Sequence, residues 1–346
     1  MMLIIFALLA FLWVCPGGLG AGPAAVPAPA APGEVVQFPY FQVPESVYLC
    51  GEPVPLNEPA VKESLDRELT IISWNRAQTT MWLKRAHRYL PEVEAKLRTR
   101  RLPLDLKYVV IIESDLLIKS KSSAGAMGPW QFMGPTAQRY QLKCNDTVDE
   151  RLEFGAATDA ALNYLQNLYQ MLHSWPLALA AYNCGEGRVQ KEMALQGVNS
   201  YYYLSLPEET ERYVYRAIAA KIVLEDPARY GYQIPAEQLY APLDYDEVSV
   251  ILPKEASVRR LAEASGSYYR AIKTLNPWIK GAAVPAGTYR LKLPKGSADR
   301  FQEAYRRGQL LADDESKGDD VKKGKAEEVK KVKGEESKKG KAGKKK

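Results

Sequence analysis

Apolar side chains recur at helical spacing through most of the chain between about residues 60 and 230, and this period constrains the fold more than any other feature. It is clearest over 154–172, where Phe154, Ala157, Ala161, Leu162, Leu165, Leu168, Tyr169 and Leu172 share one face. Val61, Leu65, Leu69, Ile72, Trp82, Leu83, Ala86 and Leu90 follow the same spacing up to Pro91, where a helix is expected to break. Residues 106–112 form a short, strongly apolar helix that leads into Glu113. Pro176 opens another over 177–182, which stops at the Asn183–Gly185 turn, and a further helix covers 208–224 before Pro227. This part of the chain is expected to be mainly α-helical.

Beyond Pro235 the pattern changes. Residues 248–252 read as a strand, 257–265 and 268–275 as helices, and Tyr289, Leu291 and Leu293 alternate as a second strand. A small α+β module over 245–296 follows from that order. Both ends differ from the middle. Residues 3–14 are an unbroken apolar run followed by Gly17, Gly18, Gly20 and Ala21, which reads as an export signal over 1–21. Its start carries no Lys or Arg, and Cys15 is a candidate lipid attachment site although Val14 does not suit the usual signal. An Ala/Pro-rich linker is expected over 22–45, a helical region over 46–100, a larger helical domain over 101–235 and a disordered Lys-rich tail over 312–346.

The net charge of +6 is concentrated in that tail, where 13 Lys against 9 acids contribute +4. The rest is nearly neutral, which argues against a nucleic-acid partner. The chain has only two histidines, and no Cys/His spacing suits a metal, so no metal or cofactor is expected. Cys50, Cys144 and Cys184 leave room for one disulfide of unassigned pairing. The 21 Tyr and 6 Trp against 7 Phe suit a wet groove that grips sugars, although aromatics also fill cores.

Three clusters carry chemistry. Glu113 follows Val109-Val110-Ile111-Ile112 at the end of an apolar helix, where burial should keep its carboxyl protonated; alone, it reads better as a structural acid, capped or paired with Lys107 or Arg101. The second, Gly125-Ala126-Met127-Gly128-Pro129-Trp130-Gln131-Phe132-Met133, is a tight turn that brings backbone and the Gln131 amide to a ligand. The third, Ala180-Ala181-Tyr182-Asn183-Cys184-Gly185-Glu186-Gly187-Arg188-Val189, places Tyr182 and Asn183 where an apolar helix meets glycines.

In combination, and continued through Leu206-Pro207-Glu208-Glu209-Thr210 and Tyr213-Val214, these clusters closely resemble the lytic transglycosylase family, its membrane-bound type D branch above all. The likeness covers about residues 45–235. It implies a lysozyme-like domain of the goose-type/soluble transglycosylase kind, acting on peptidoglycan glycan strands at the cell envelope as a monomer without a cofactor. By resemblance Glu113 is the sole acid and base, Ser114 hydrogen-bonds it, and Gln131, Met133, Tyr182, Asn183 and Tyr213 hold the sugars. The chain departs from the family in Met133-Gly134-Pro135-Thr136, where the usual order is Met-Pro-x-Thr, and in Cys184, where a smaller residue is customary. A hydrolase of this geometry normally needs two carboxylates; with one, the resemblance implies closure of a 1,6-anhydro ring instead of attack by water. The 245–296 module resembles a degenerate LysM repeat, which implies binding to N-acetylglucosamine polymers. A non-catalytic wall-binding protein and a hydrolysing muramidase are the rival readings.

Overall fold

The computed structural model describes residues 39–311. The proposed export signal, Cys15, most of the Ala/Pro-rich linker and the Lys-rich tail lie outside the described residues. The chain divides after Tyr40, and the elements relevant to function lie in the unit that begins at Phe41. A two-residue hairpin, β1 (Tyr48–Leu49) with β2 (Glu52–Pro53), precedes the helices.

Helix α1 spans Pro59–Trp74 and α2 spans Arg76–Thr99. The break falls at Asn75, not at the expected Pro91. Asn75 leaves helical geometry, and its side chain accepts a bond from the Gln78 N–H, as a helix N-cap does. Pro91 lies within α2 on its exposed side, next to buried Leu90 and Val93. There the carbonyl four residues back can turn to water, so the missing bond is tolerated while the buried face keeps packing.

Helix α3 (Lys107–Ser114) buries Tyr108, Val109, Val110 and Ile111. After the short α4 (Gly134–Arg139) come α5 (Phe154–Leu172) and α6 (Trp175–Cys184). Residues 175–181 of α6 are all buried, so it is a central helix apolar on every side. Gly185, at φ +90°, redirects the chain, and a further helix that the sequence reading did not foresee, α7 (Glu186–Gln196), starts at once. Helix α8 (Glu208–Glu225) packs on α1, α3 and α6 and so organises the body.

In the C-terminal module β3 (Tyr245–Leu252) pairs antiparallel with β6 (Gly287–Pro294), with Val248 opposite Leu291. Between them lie β4 (Ala256–Ser257), α9 (Val258–Ala264), α10 (Tyr269–Leu275) and β5 (Ala283–Val284), with β4 and β5 paired. Folded chain continues past residue 296 into α11 (Ala298–Arg306), whose Phe301 is fully buried.

The module's core also takes Val148 and Leu152 from the loop between α4 and α5. That loop is bonded to it, Asp149 N–H to the Trp278 carbonyl and Lys280 N–H to the Thr147 carbonyl, both at 2.9 Å. Cys50, Cys144 and Cys184 are free, so the disulfide left open by the sequence does not form among them. No helix among the described residues is long and apolar enough to cross a membrane.

Candidate active site

Glu113 is the penultimate residue of α3, at the point where this buried helix emerges. Its carboxyl Oε1 accepts a hydrogen bond from the Tyr213 hydroxyl of α8 at 2.5 Å. Burial lifts its pKa to about 7, against the lowering effect of that bond and of the Arg216 charge; Glu209 pushes in the same direction as burial. The group is therefore poised to be protonated near neutrality, as a general acid requires. Of the two partners named from sequence, Lys107 instead bonds Glu94 at 2.7 Å, and no ion pair to Glu113 is found among the described residues.

Directly after it the backbone turns left-handed at Asp115 (φ 55°) and Leu116 (φ 58°), a conformation costly for residues with a Cβ. Asp115 is held against α2: Oδ1 accepts from Trp82 Nε1 at 2.6 Å and Gln78 Nε2 at 2.9 Å, and its carbonyl accepts from Arg85. This carboxylate anchors the end of α3 and is taken up by that task.

Ser114 does not make the expected bond to Glu113. It is buried, and its hydroxyl donates to the Val110 carbonyl at 3.2 Å, the bond back into its own helix that serine makes on a buried face. Tyr213 supplies the donor to Glu113 instead.

Tyr182 stands at the end of α6. Its hydroxyl donates to the Trp130 carbonyl at 2.8 Å, and its ring meets Phe132 edge-on at 6.3 Å between centroids. The Gly128–Phe132 turn thus wraps Tyr182. Burial, and next the charge of Glu113, raise the pKa of both Tyr182 and Tyr213, so the two phenols stay neutral donors beside the carboxyl. Gln131, at φ 49°, uses its amide nitrogen on the Gly128 and Ser120 carbonyls at 2.7 and 3.3 Å, which leaves its carbonyl oxygen for a ligand. Asn183 Oδ1 accepts from Thr210 Oγ1 at 2.7 Å, linking α6 to α8 and leaving the Asn183 NH₂ as a donor. Met133 is exposed at the start of α4.

Two nearby groups were not singled out from sequence. Arg216 lies over the Tyr213 ring, 5.7 Å from its centroid, with Nε buried. Glu209 is exposed in the first turn of α8, one turn before Tyr213, and its charge is felt at Glu113. The i, i+4 spacing of Glu209 and Tyr213 was the available signal. Glu186 is no second acid at this site: burial opposes its charge, but its own N–H, Arg139 and Tyr164 outweigh that and hold its pKa low.

The family whose profile matches this chain is described as "Transglycosylase SLT domain", over residues 92–204. The chain is 32% identical over 234 residues to the membrane-bound lytic murein transglycosylase D of Escherichia coli K12, covering 66% of this chain and 51% of that protein. It thus spans about half the length of this curated relative. It is also 32% identical over 127 residues to a putative tributyltin chloride resistance protein of Alteromonas strain M-1, covering 36% of this chain and 58% of the other. Among solved structures, the 70 kDa soluble lytic transglycosylase of Escherichia coli aligns with a TM-score of 0.36 and 18% identity, over 57% of this chain and 34% of that one.

Proposed function

We propose that the protein is a peptidoglycan lytic transglycosylase, a reading supported by the match of residues 92–204 to the transglycosylase SLT domain. Glu113, protonated, gives its proton to the glycosidic oxygen between N-acetylmuramic acid and N-acetylglucosamine. The substrate's acetamido group stabilises the developing oxocarbenium charge. The Glu113 carboxylate then takes the proton of the muramic acid 6-hydroxyl as that oxygen closes on C1, which gives a 1,6-anhydro end. The observation that carries this reading is the single enclosed carboxyl hydrogen-bonded by Tyr213, with Asp115 and Glu186 committed elsewhere. Tyr182, Asn183, Gln131 and Met133 hold the sugars on either side of the bond; Ser114 supports the helix end.

The 32% identity to a membrane-bound murein enzyme supports a cell-envelope location. The reading therefore includes export through residues 1–21 and action as a monomer. It also gives the LysM-like module an affinity for the glycan.

One observation favours the hydrolytic alternative. Glu209 is an exposed carboxylate electrostatically coupled to Glu113, and could serve as the second acid. Sacculus-clearing assays on two variants separate the readings. Glu113→Gln is expected to abolish clearing, with Glu209→Gln retaining it within about tenfold. Loss of clearing in both to the same extent supports the two-carboxylate reading, and retention in Glu113→Gln removes Glu113 from the chemistry.

A further inference from the structure

A cleft of about 570 Å³ separates the α2–α5 side of the helical body from β3 and β6 of the C-terminal module, a size typical of ligand sites. Tyr140, Gln141 and Asn163 line one wall, Tyr245, Thr288 and Tyr289 the other. Three tyrosines thus converge from distant parts of the chain. Tyr289 is set in place by Trp278, with ring centroids 5.4 Å apart and planes 14° from parallel. A flat ring ending in a hydroxyl suits the apolar face and polar rim of a pyranose.

The charges in the walls are mostly neutralised within the protein. Lys96 pairs with Asp159, Lys292 with Glu153 and Arg290 with Glu247. They offer fixed donors and acceptors without a net pull on an ion. Glu92 differs, for none of the hydrogen bonds or ion pairs among the described residues reaches it. Burial raises its pKa, against the opposing charges of Lys292 and Lys96. Gly155 leaves it room, since a Cβ there would stand 2.9 Å from Glu92 Oε1. An acceptor without a donor, beside aromatic rings, awaits hydroxyl or amide N–H groups. The same carboxylate disfavours an anionic ligand.

The cleft also lies close to the site of cleavage. The Tyr140 ring is 5.0 Å from that of Tyr164, which is 5.2 Å from that of Tyr182 beside Glu113. We propose that this cleft is a second glycan-binding site, which holds an uncharged N-acetylated amino-sugar stretch of the polymer whose bond is cut at Glu113. The ligand class rests on the proposed function, whereas the site itself draws on residues outside the Glu113 cluster.

Titrating an N-acetylglucosamine hexamer into the full chain carrying Glu113→Gln, by calorimetry, tests it. Two binding events are expected. Tyr289→Ser is expected to remove one of them and leave the other at its original affinity. Thr288→Trp, at an exposed position whose new ring would fill the cleft, is expected to do the same without disturbing the Tyr289–Trp278 stack. Survival of both events in both variants overturns the proposal, as does saturation by a free murein stem peptide with no binding of the hexamer. Loss of one event in an enzyme whose wild type yields no anhydro ends leaves the cleft standing and refutes only the activity.

Discussion

Ionising Glu113 places a charge where the folded protein has little solvent to receive it, and that cost has a defined pH dependence. In the unfolded chain this carboxyl titrates in the ordinary range, and in the folded protein near 7. Because the folded pKa is the higher one, the stabilising contribution of the protonated group is complete below about pH 4 and is lost as pH rises through 7. Glu113→Gln, which cannot ionise, is thus expected to stabilise the protein at pH 8 by up to about 3 kcal/mol relative to pH 4. Melting curves at the two pH values check this, and an equal effect at both would contradict it. Tyr213→Phe removes a bond that favours the charged carboxylate, so the alkaline limb of the pH–rate profile is expected to move to higher pH. The burial of Glu113 could be read from its own neighbourhood, since four apolar residues precede it, but its role emerged only in combination with the Gln131 and Tyr182-Asn183 motifs. Its partner could not, because Tyr213 lies 100 residues away and meets it only through the packing of α3 on α8. Ser114 was assigned the bond by resemblance, and in the structure Tyr213 makes it.

Helices with a clean apolar face, such as α5 and α8, fall where their periodicity places them, because burial of one stripe dominates their energetics. Pro91 and Asn75 show where that logic is insufficient: an exposed proline was tolerated, and a cap with its own side-chain bond ended the helix. The turn around Gln131 depends on contacts that no local pattern reveals. Arg151, from the loop before α5, donates to the Phe132 carbonyl at 3.0 Å and is itself paired with buried Asp149 at 2.7 Å. Removing one partner of an enclosed ion pair costs about 3–5 kcal/mol, so Arg151→Ala is expected to lower stability by about that much in urea denaturation. A neutral result would mean that the pair is not enclosed in solution. Gly128 is tighter still. With φ at +83°, a Cβ there would lie 1.9 Å from the Arg151 carbonyl oxygen. Gly128→Ala is expected to displace the Gln131 turn and abolish sacculus clearing, and retained activity would show that the turn can move aside.

The loop between α4 and α5 joins the helical body to the C-terminal module. Val148 and Leu152, both buried, contribute to the module's core, and burial of two such side chains stabilises by about 3–6 kcal/mol. Arg151 and Asp149, in the same loop, reach the Gln131 turn on one side and Trp278 on the other. Removing the chain beyond residue 240 is therefore expected to destabilise the helical body itself, read as a lower calorimetric melting temperature of that body; an unchanged one would make the module an independent appendage. From sequence the module was bounded at 296 by its last strand, because the short amphipathic α11 lacks a long apolar face. The joint was invisible for a different reason, since Val148 and Leu152 sit in a loop without periodicity. The central claim, that one carboxyl does the chemistry and water is not the nucleophile, is tested most directly by mass spectrometry of the ends released from purified murein sacculi. Anhydro-muramic ends from the wild type and none from Glu113→Gln are the predicted result; reducing ends from the wild type would contradict it.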